Sequence, residues 1–209
     1  MHSDTSLMHL PRLNLRGRAL HDLEVMLVGG FHPVHGFMNE DDYHGVVENM
    51  RLTHGELFPI PIVLDVPEAS EYTVGDTLLL CDPFGNPLAT MTVTSRYTPD
   101  KSEEARKVYG TEDMMHPGVQ YLFDEMHPVY LGGTVEKITL PERHDFKQFR
   151  YTPDELKALF KEKGWDTVVG FQTRNPMHRA HFELVKRAHE KTGAPVLIHP
   201  VVGMTKPGD

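Results

Sequence analysis

The sequence has 209 residues, 39% of them hydrophobic and 24% charged, which suits one ordinary soluble domain or two small ones. It contains no apolar run near the roughly 20 residues that span a bilayer and no basic segment leading into an apolar core at its start. A single cysteine, Cys81, excludes an intrachain disulfide framework and a multi-cysteine zinc site.

Cys81 ends the apolar run Leu78-Leu79-Leu80 and reads as a buried structural thiol. A cytoplasmic setting is the default expectation. The net charge of −9 is uneven: from residue 146 onward 11 Lys+Arg face 7 Asp+Glu (+4), and residues 1–145 hold 10 against 23 (−13). The later part is therefore suited to anions. The earlier part repels them, which argues against broad nucleic-acid binding there.

Arg16 to Val28 has a helical pattern closed by Gly29-Gly30. Asn39 is placed to cap a second helix running to about Met50, with acidic residues in its first turn. Ile60 to Val66 reads as a strand bounded by prolines. Asp76 to Cys81 and Leu88 to Ser95 read as strands joined by the turn Asp82-Pro83-Phe84-Gly85-Asn86. Ser102 to Tyr109 predicts a short helix, and Asp100 to Glu104 a solvated helix start. Val129 to Leu140 predicts a hairpin or strand pair around Gly132-Gly133. His32-Pro33-Val34-His35 reads as a structural loop. This part is mixed and rich in β structure.

The pattern changes between Pro141 and Arg150. Thr152-Pro153-Asp154-Glu155 combines a Thr cap, Pro at the first helical position and Glu three residues after the cap, which predicts a helix to Lys163 ending at Gly164. Thr167 to Gln172 predicts a short buried strand, Pro176 to about Lys191 a helix ended by Gly193, and Pro195 to Val202 a second strand. Strand, helix, strand is a βαβ unit of a parallel sheet. Two parallel strands and two helices bury too little apolar surface to stand alone. The sequence is therefore expected to be a piece of a longer protein, or to have its sheet edge completed by another chain, with Thr205 to Asp209 as a loop.

In open α/β sheets, ligands lie outside the carboxyl ends of the strands, the place held here by Gln172-Thr173-Arg174-Asn175. Asn175 is placed to cap the next helix, whose N-terminus offers free N–H groups to an anion. His178 and His181, three apart, share a helical face. Arg174 adds a planar fork suited to sulfate or phosphate. Taken singly, each has a plainer reading: His181 continues the stripe Met177, Ala180, Leu184 and Ala188 as a half-buried histidine, Arg174 is a surface ion-pair partner, and Asn175-Pro176 is a helix start. A metal reading of the two histidines lacks a nearby carboxylate in the motif.

As a group, Gly170-Phe171-Gln172-Thr173-Arg174-Asn175-Pro176-Met177-His178-Arg179-Ala180-His181 resembles the signature of the ATP sulfurylase (sulfate adenylyltransferase) family. Gly29-Gly30-Phe31 through Gly36-Phe37-Met38, Pro59 to Asp65, His116-Pro117-Gly118-Val119, Tyr130-Leu131-Gly132-Gly133, His199-Pro200-Val201-Val202-Gly203 and Thr205 to Asp209 match it too. The resemblance implies an α+β chain with a PUA-like β-rich domain over 1–145. It implies the first βαβ unit of a Rossmann-like, HxxH adenylyltransferase domain over 146–209. It also implies transfer of AMP from ATP to sulfate, giving adenosine 5′-phosphosulfate and pyrophosphate, by a homo-oligomer, with Mg²⁺ arriving on ATP and no protein-bound metal.

By the same resemblance, Gln172 and Arg174 hold sulfate. Gln172, Thr173, Asn175, His178 and His181 contact the nucleotide, and Thr173, Arg174 and Asn175 are the catalytic set. The family's later Gly-rich Arg-Asp-His segment and further helical portion are not in this sequence, so poor turnover by the 209-residue chain alone is expected. Two other readings stay open: a different adenylyltransferase of the same superfamily, and a PUA-like module serving RNA binding or assembly.

Overall fold

Residue 7 and residues 9–201 are described in the structure, a computed structural model. The chain divides into two units, Met1–Lys147 and Gln148–Asp209.

In the first unit a six-stranded sheet runs in the order β1 (Arg12–Asn14), β4 (Thr77–Cys81), β5 (Pro87–Tyr97), β6 (Val129–Lys137), β2 (Gly36–Phe37), with β3 (Leu64–Val66) also paired to β6. Only β1–β4 is parallel. Leu78, Leu79, Leu80 and Cys81 are fully buried, with Leu78 and Leu80 in the main core, and burial pushes the Cys81 thiol up. The β4–β5 turn is tied by Asp82, whose Oδ1 accepts from the N–H groups of Phe84 and Asn86. The Asn86 side chain donates to Oδ2, and these bonds hold the Asp82 carboxyl below its ordinary range.

Helix α1 (Gly17–Leu27) turns Leu23 and Met26 into the core. Helix α2 (Glu40–Asn49) is capped as predicted, with Asn39 Oδ1 accepting from Asp42 N at 2.8 Å. The loop at His32 to His35 is also as predicted and contains a cis His32–Pro33 peptide.

Three expectations are corrected. The predicted hairpin at Val129 to Leu140 is one continuous strand, β6. Gly132 and Gly133 sit inside it because neighbouring backbone comes too close for a side chain: a Cβ on Gly133 would overlap Thr92 O. The predicted strand from Ile60 is β-structured only at Leu64–Val66; Pro59 and Pro61 keep the preceding residues off the ladder. The start of helix α3 (Lys101–Glu104) is only partly solvated. Asp100 caps it through Glu103 N, but Glu104 is 4% exposed and accepts hydrogen bonds from Tyr43 and Tyr130. Helix α3 continues as a π-turn, Ala105–Tyr109, and helix α4 (Pro117–Gln120) as another, Tyr121–Glu125.

In the second unit, α5 (Pro153–Glu162) opens on the predicted capping box, with Thr152 N donating to Glu155 Oε2 at 2.7 Å. Strand β7 (Val169–Thr173), α6 (Arg179–Thr192) and β8 (Val196–Pro200) form the predicted βαβ unit. Its strands are parallel and pair from Val169↔Val196 to Thr173↔Pro200. Among the described residues of this unit only Ala194 is buried, while Phe182, Leu184 and Ile198 are exposed; this fits the small core expected of two strands and two helices, but the strand predicted as buried is only partly covered along β7. The predicted end of the second strand at Val202 and the loop Thr205 to Asp209 lie outside the described residues.

Candidate active site

The motif forms a compact turn at the carboxyl end of β7. Strand pairing continues through Thr173, whose carbonyl accepts from Val201 N at 2.8 Å. The Thr173 hydroxyl then reaches two residues ahead, accepting from Asn175 N at 3.2 Å and donating to Asn175 O at 2.9 Å. This local closure turns the chain out of the sheet.

The same turn corrects the expected helix start. Asn175 is held by Thr173 and precedes a proline, which disfavours helical backbone, so it does not cap the helix. Helix α6 begins at Arg179, and His178 is its N-cap residue, extended at φ −110°, ψ 175°. The His178 side chain makes no capping hydrogen bond. Among the described residues the positive end of this 14-residue helix thus has no side-chain cap beside the turn, an arrangement suited to an anion.

The two histidines meet although one lies before the helix and one within it. Their ring centroids are 4.0 Å apart with 36° between planes. His181 rests against Phe171 of β7, with centroids 5.9 Å apart, and its Nδ1 is buried without a hydrogen-bond partner among the described residues. Phe171, read from sequence only as strand core, therefore positions His181. The signal was its place three residues before the turn, on the strand face toward the helix.

Arg174 and Asn175 are exposed in the turn; Gln172 is exposed on the strand. The structure thus brings the backbone of Gln172, Thr173, Arg174 and Asn175, the helix start and the His178–His181 pair into one short segment. Among the described residues no group of three or more His, Cys, Asp and Glu could hold a metal ion.

Two family models tile the chain: a PUA-like domain over residues 2–140 and ATP-sulfurylase over residues 147–209. The sulfate adenylyltransferase of Schizosaccharomyces pombe is 53% identical over 205 residues, a match covering 96% of this chain and 42% of that protein. Over most of its length the chain belongs to the PUA-like domain family. Another sulfate adenylyltransferase, from Gibberella zeae, is 52% identical over 96% of this chain and 36% of its own length. A solved structure described as a hexameric APS kinase from Thiobacillus denitrificans superposes with a TM-score of 0.77 at 28% identity, over 96% of this chain and 36% of that one. The chain spans 36–42% of the length of these relatives. Among the described residues no helix is long and apolar enough to cross a membrane.

Proposed function

We propose that a protein of the relatives' length carrying this chain is a sulfate adenylyltransferase, and that residues 172–181 are its sulfate and triphosphate cradle. The observation that supports this most directly is the start of α6 without a side-chain cap, with the close His178–His181 pair beside it, directly after Gln172 to Asn175.

Sulfate is already an anion and needs no general base. The difficulty is to bring it against the α-phosphate of ATP. Gln172 and Arg174 hold sulfate, and Arg174 offsets part of its charge. Thr173 and Asn175, set by their mutual hydrogen bonds, contact the nucleotide phosphates. A sulfate oxygen forms a bond to the α-phosphorus as the bridging bond to the β-phosphate breaks, giving adenosine 5′-phosphosulfate and pyrophosphate. His178 and His181 donate to the phosphates and stabilise charge on the departing pyrophosphate. Mg²⁺ enters as part of the MgATP substrate and neutralises phosphate charge.

In this reading residues 1–145 are the PUA-like domain and 146–209 the first part of the adenylyltransferase domain. The complete protein is a cytoplasmic homo-oligomer that engages neither nucleic acid nor membrane. The 209-residue chain alone turns over ATP poorly. The test is sulfate-dependent pyrophosphate release, measured for this chain and for a protein of the relatives' length. Sulfate-dependent release by the longer protein, with competition by molybdate or selenate, supports the reading. ATP cleavage indifferent to all three anions sinks it.

A further inference from the structure

In β7, Phe171 points toward α6, where it meets His181. Side chains alternate along a strand, so Gly170 and Gln172 point to the other face. In the parallel ladder Gln172 pairs with His199. Register partners share a face and lie about 4.8 Å apart, so His199 stands beside Gln172 at the carboxyl end of the sheet. That face is open: a Cβ built on Gly170 meets nothing within 4 Å.

The sequence of β8 adds to this. Val196, Leu197 and Ile198 are the apolar residues expected of a parallel strand, and the pattern breaks to histidine at the edge where ligands of open α/β sheets sit. His199 is exposed and makes no hydrogen bond among the described residues, so both ring nitrogens are available to a ligand. An imidazole N–H next to the Gln172 amide gives two donors side by side, a pairing that suits a tetrahedral oxyanion.

We propose that His199 is a further oxyanion-binding residue of this site, donating to the same anion that Gln172 holds. This rests on the reading of residues 172–181 as a sulfate cradle and adds a donor from the second strand. It also gives the apolar-to-polar break in β8 a function that strand packing does not supply.

The test is a sulfate titration of the 209-residue chain at constant ionic strength, balanced with chloride. It follows the amide resonances of Gln172 and Thr173 and the ring resonance of His199 by NMR. The expected result is a saturable shift of all three with one midpoint, reproduced by selenate. His199→Ala should weaken that midpoint about tenfold, the scale of one hydrogen bond to a charged group, and Arg174→Ala serves as the control for the cradle. If the Gln172 and Thr173 amides titrate while the His199 ring stands still and His199→Ala keeps the midpoint, the inference falls and the cradle reading stands. If neither the amides nor the ring respond, the cradle reading falls and takes the inference with it. An equal response to chloride alone reduces the effect to charge screening and overturns the inference.

Discussion

The Tyr43 hydroxyl donates to Glu104 Oε2 across 2.9 Å, inside the core of the first unit. Tyr130 donates to the same oxygen at 3.2 Å, and the Tyr43, Tyr97 and Tyr130 rings lie 5.4 to 5.8 Å apart. Burial pushes Glu104 up, and the two phenolic donors pull it back, so the group depends on both partners for its place. Burial, reinforced by the adjacent carboxylate, pushes both tyrosines up as well.

Replacing Glu104 by Leu leaves the buried Tyr43 hydroxyl without an acceptor and the Tyr130 hydroxyl with only the Met126 sulfur, 3.8 Å away. The expected loss is about 2–4 kcal/mol in urea unfolding at neutral pH, from the cost of each stranded donor. Glu104→Gln keeps a carbonyl acceptor and should lose less than half as much. Equal losses for the two variants would mean that packing volume, not the shared acceptor, sets the cost.

A second carboxyl of this unit makes stability depend on pH. Burial pushes Asp22 up to about 6, with Arg18 and His21 pulling it back only in part. A carboxyl raised in the folded state binds its proton more tightly there than in the unfolded chain. Its contribution is therefore fully present below its ordinary range near 4 and is lost as pH rises through about 6. Asp22→Asn removes that dependence. After allowance for its partial exposure, the variant should gain about 1 kcal/mol relative to wild type between pH 4 and pH 7.5. Thermal unfolding of both proteins across that range measures it; parallel stability curves would refute the assignment.

The sequence carried most of the second unit because its signals are local. Thr152 and Glu155 form the capping box that their spacing announces, and the apolar runs at Val168-Val169 and Val196-Leu197-Ile198 fall within one residue of the start of their strands. Features that depend on distant partners were not legible. Gly132 and Gly133 look like a turn, because a glycine pair does not disclose that Thr92 and Met38 approach its backbone. Glu104 reads as solvated because the tyrosines that hold it are 61 and 26 residues away in sequence. In the site, Asn175 has the right chemistry for a cap. The Thr173 hydroxyl claims its backbone first, and that competition moves the helix start to Arg179.

Close backbone approach at β6 gives a prediction of its own. A methyl group on Gly133 would meet the Thr92 carbonyl in the middle of the β5–β6 ladder, and the Met91 methyl lies 2.9 Å from the same point. The Met91 end can move, but the carbonyl is fixed by strand pairing. Gly133→Ala should therefore cost about 3 kcal/mol, the scale of an overpacked core. The loss should appear as a fall in the soluble folded fraction and in the unfolding midpoint. A variant of wild-type stability would show that β5 and β6 can separate there without losing their register.

Arg174 gives the sharpest test of the proposed chemistry. It is exposed in the turn after β7, so replacing it by Ala should leave folding intact. Sulfate and triphosphate repel each other at the distance where they must react, and this guanidinium is the fixed charge in the Gln172-to-Asn175 turn assigned to sulfate. Arg174→Ala in a protein of the relatives' length should lower kcat/KM for sulfate by about 10²- to 10³-fold, the loss typical of removing one preorganised charge donor. The KM for MgATP should change far less. His178→Ala should do the reverse, lowering kcat and weakening MgATP while leaving the KM for sulfate nearly unchanged, because its ring lies against His181 and the pair is assigned to the phosphates. Measuring both substrates' kinetics for both variants separates the roles. If the two variants lose the same parameter to the same extent, the division of the cradle between sulfate and phosphate is wrong. Unchanged kinetics in Arg174→Ala would remove it from the site altogether.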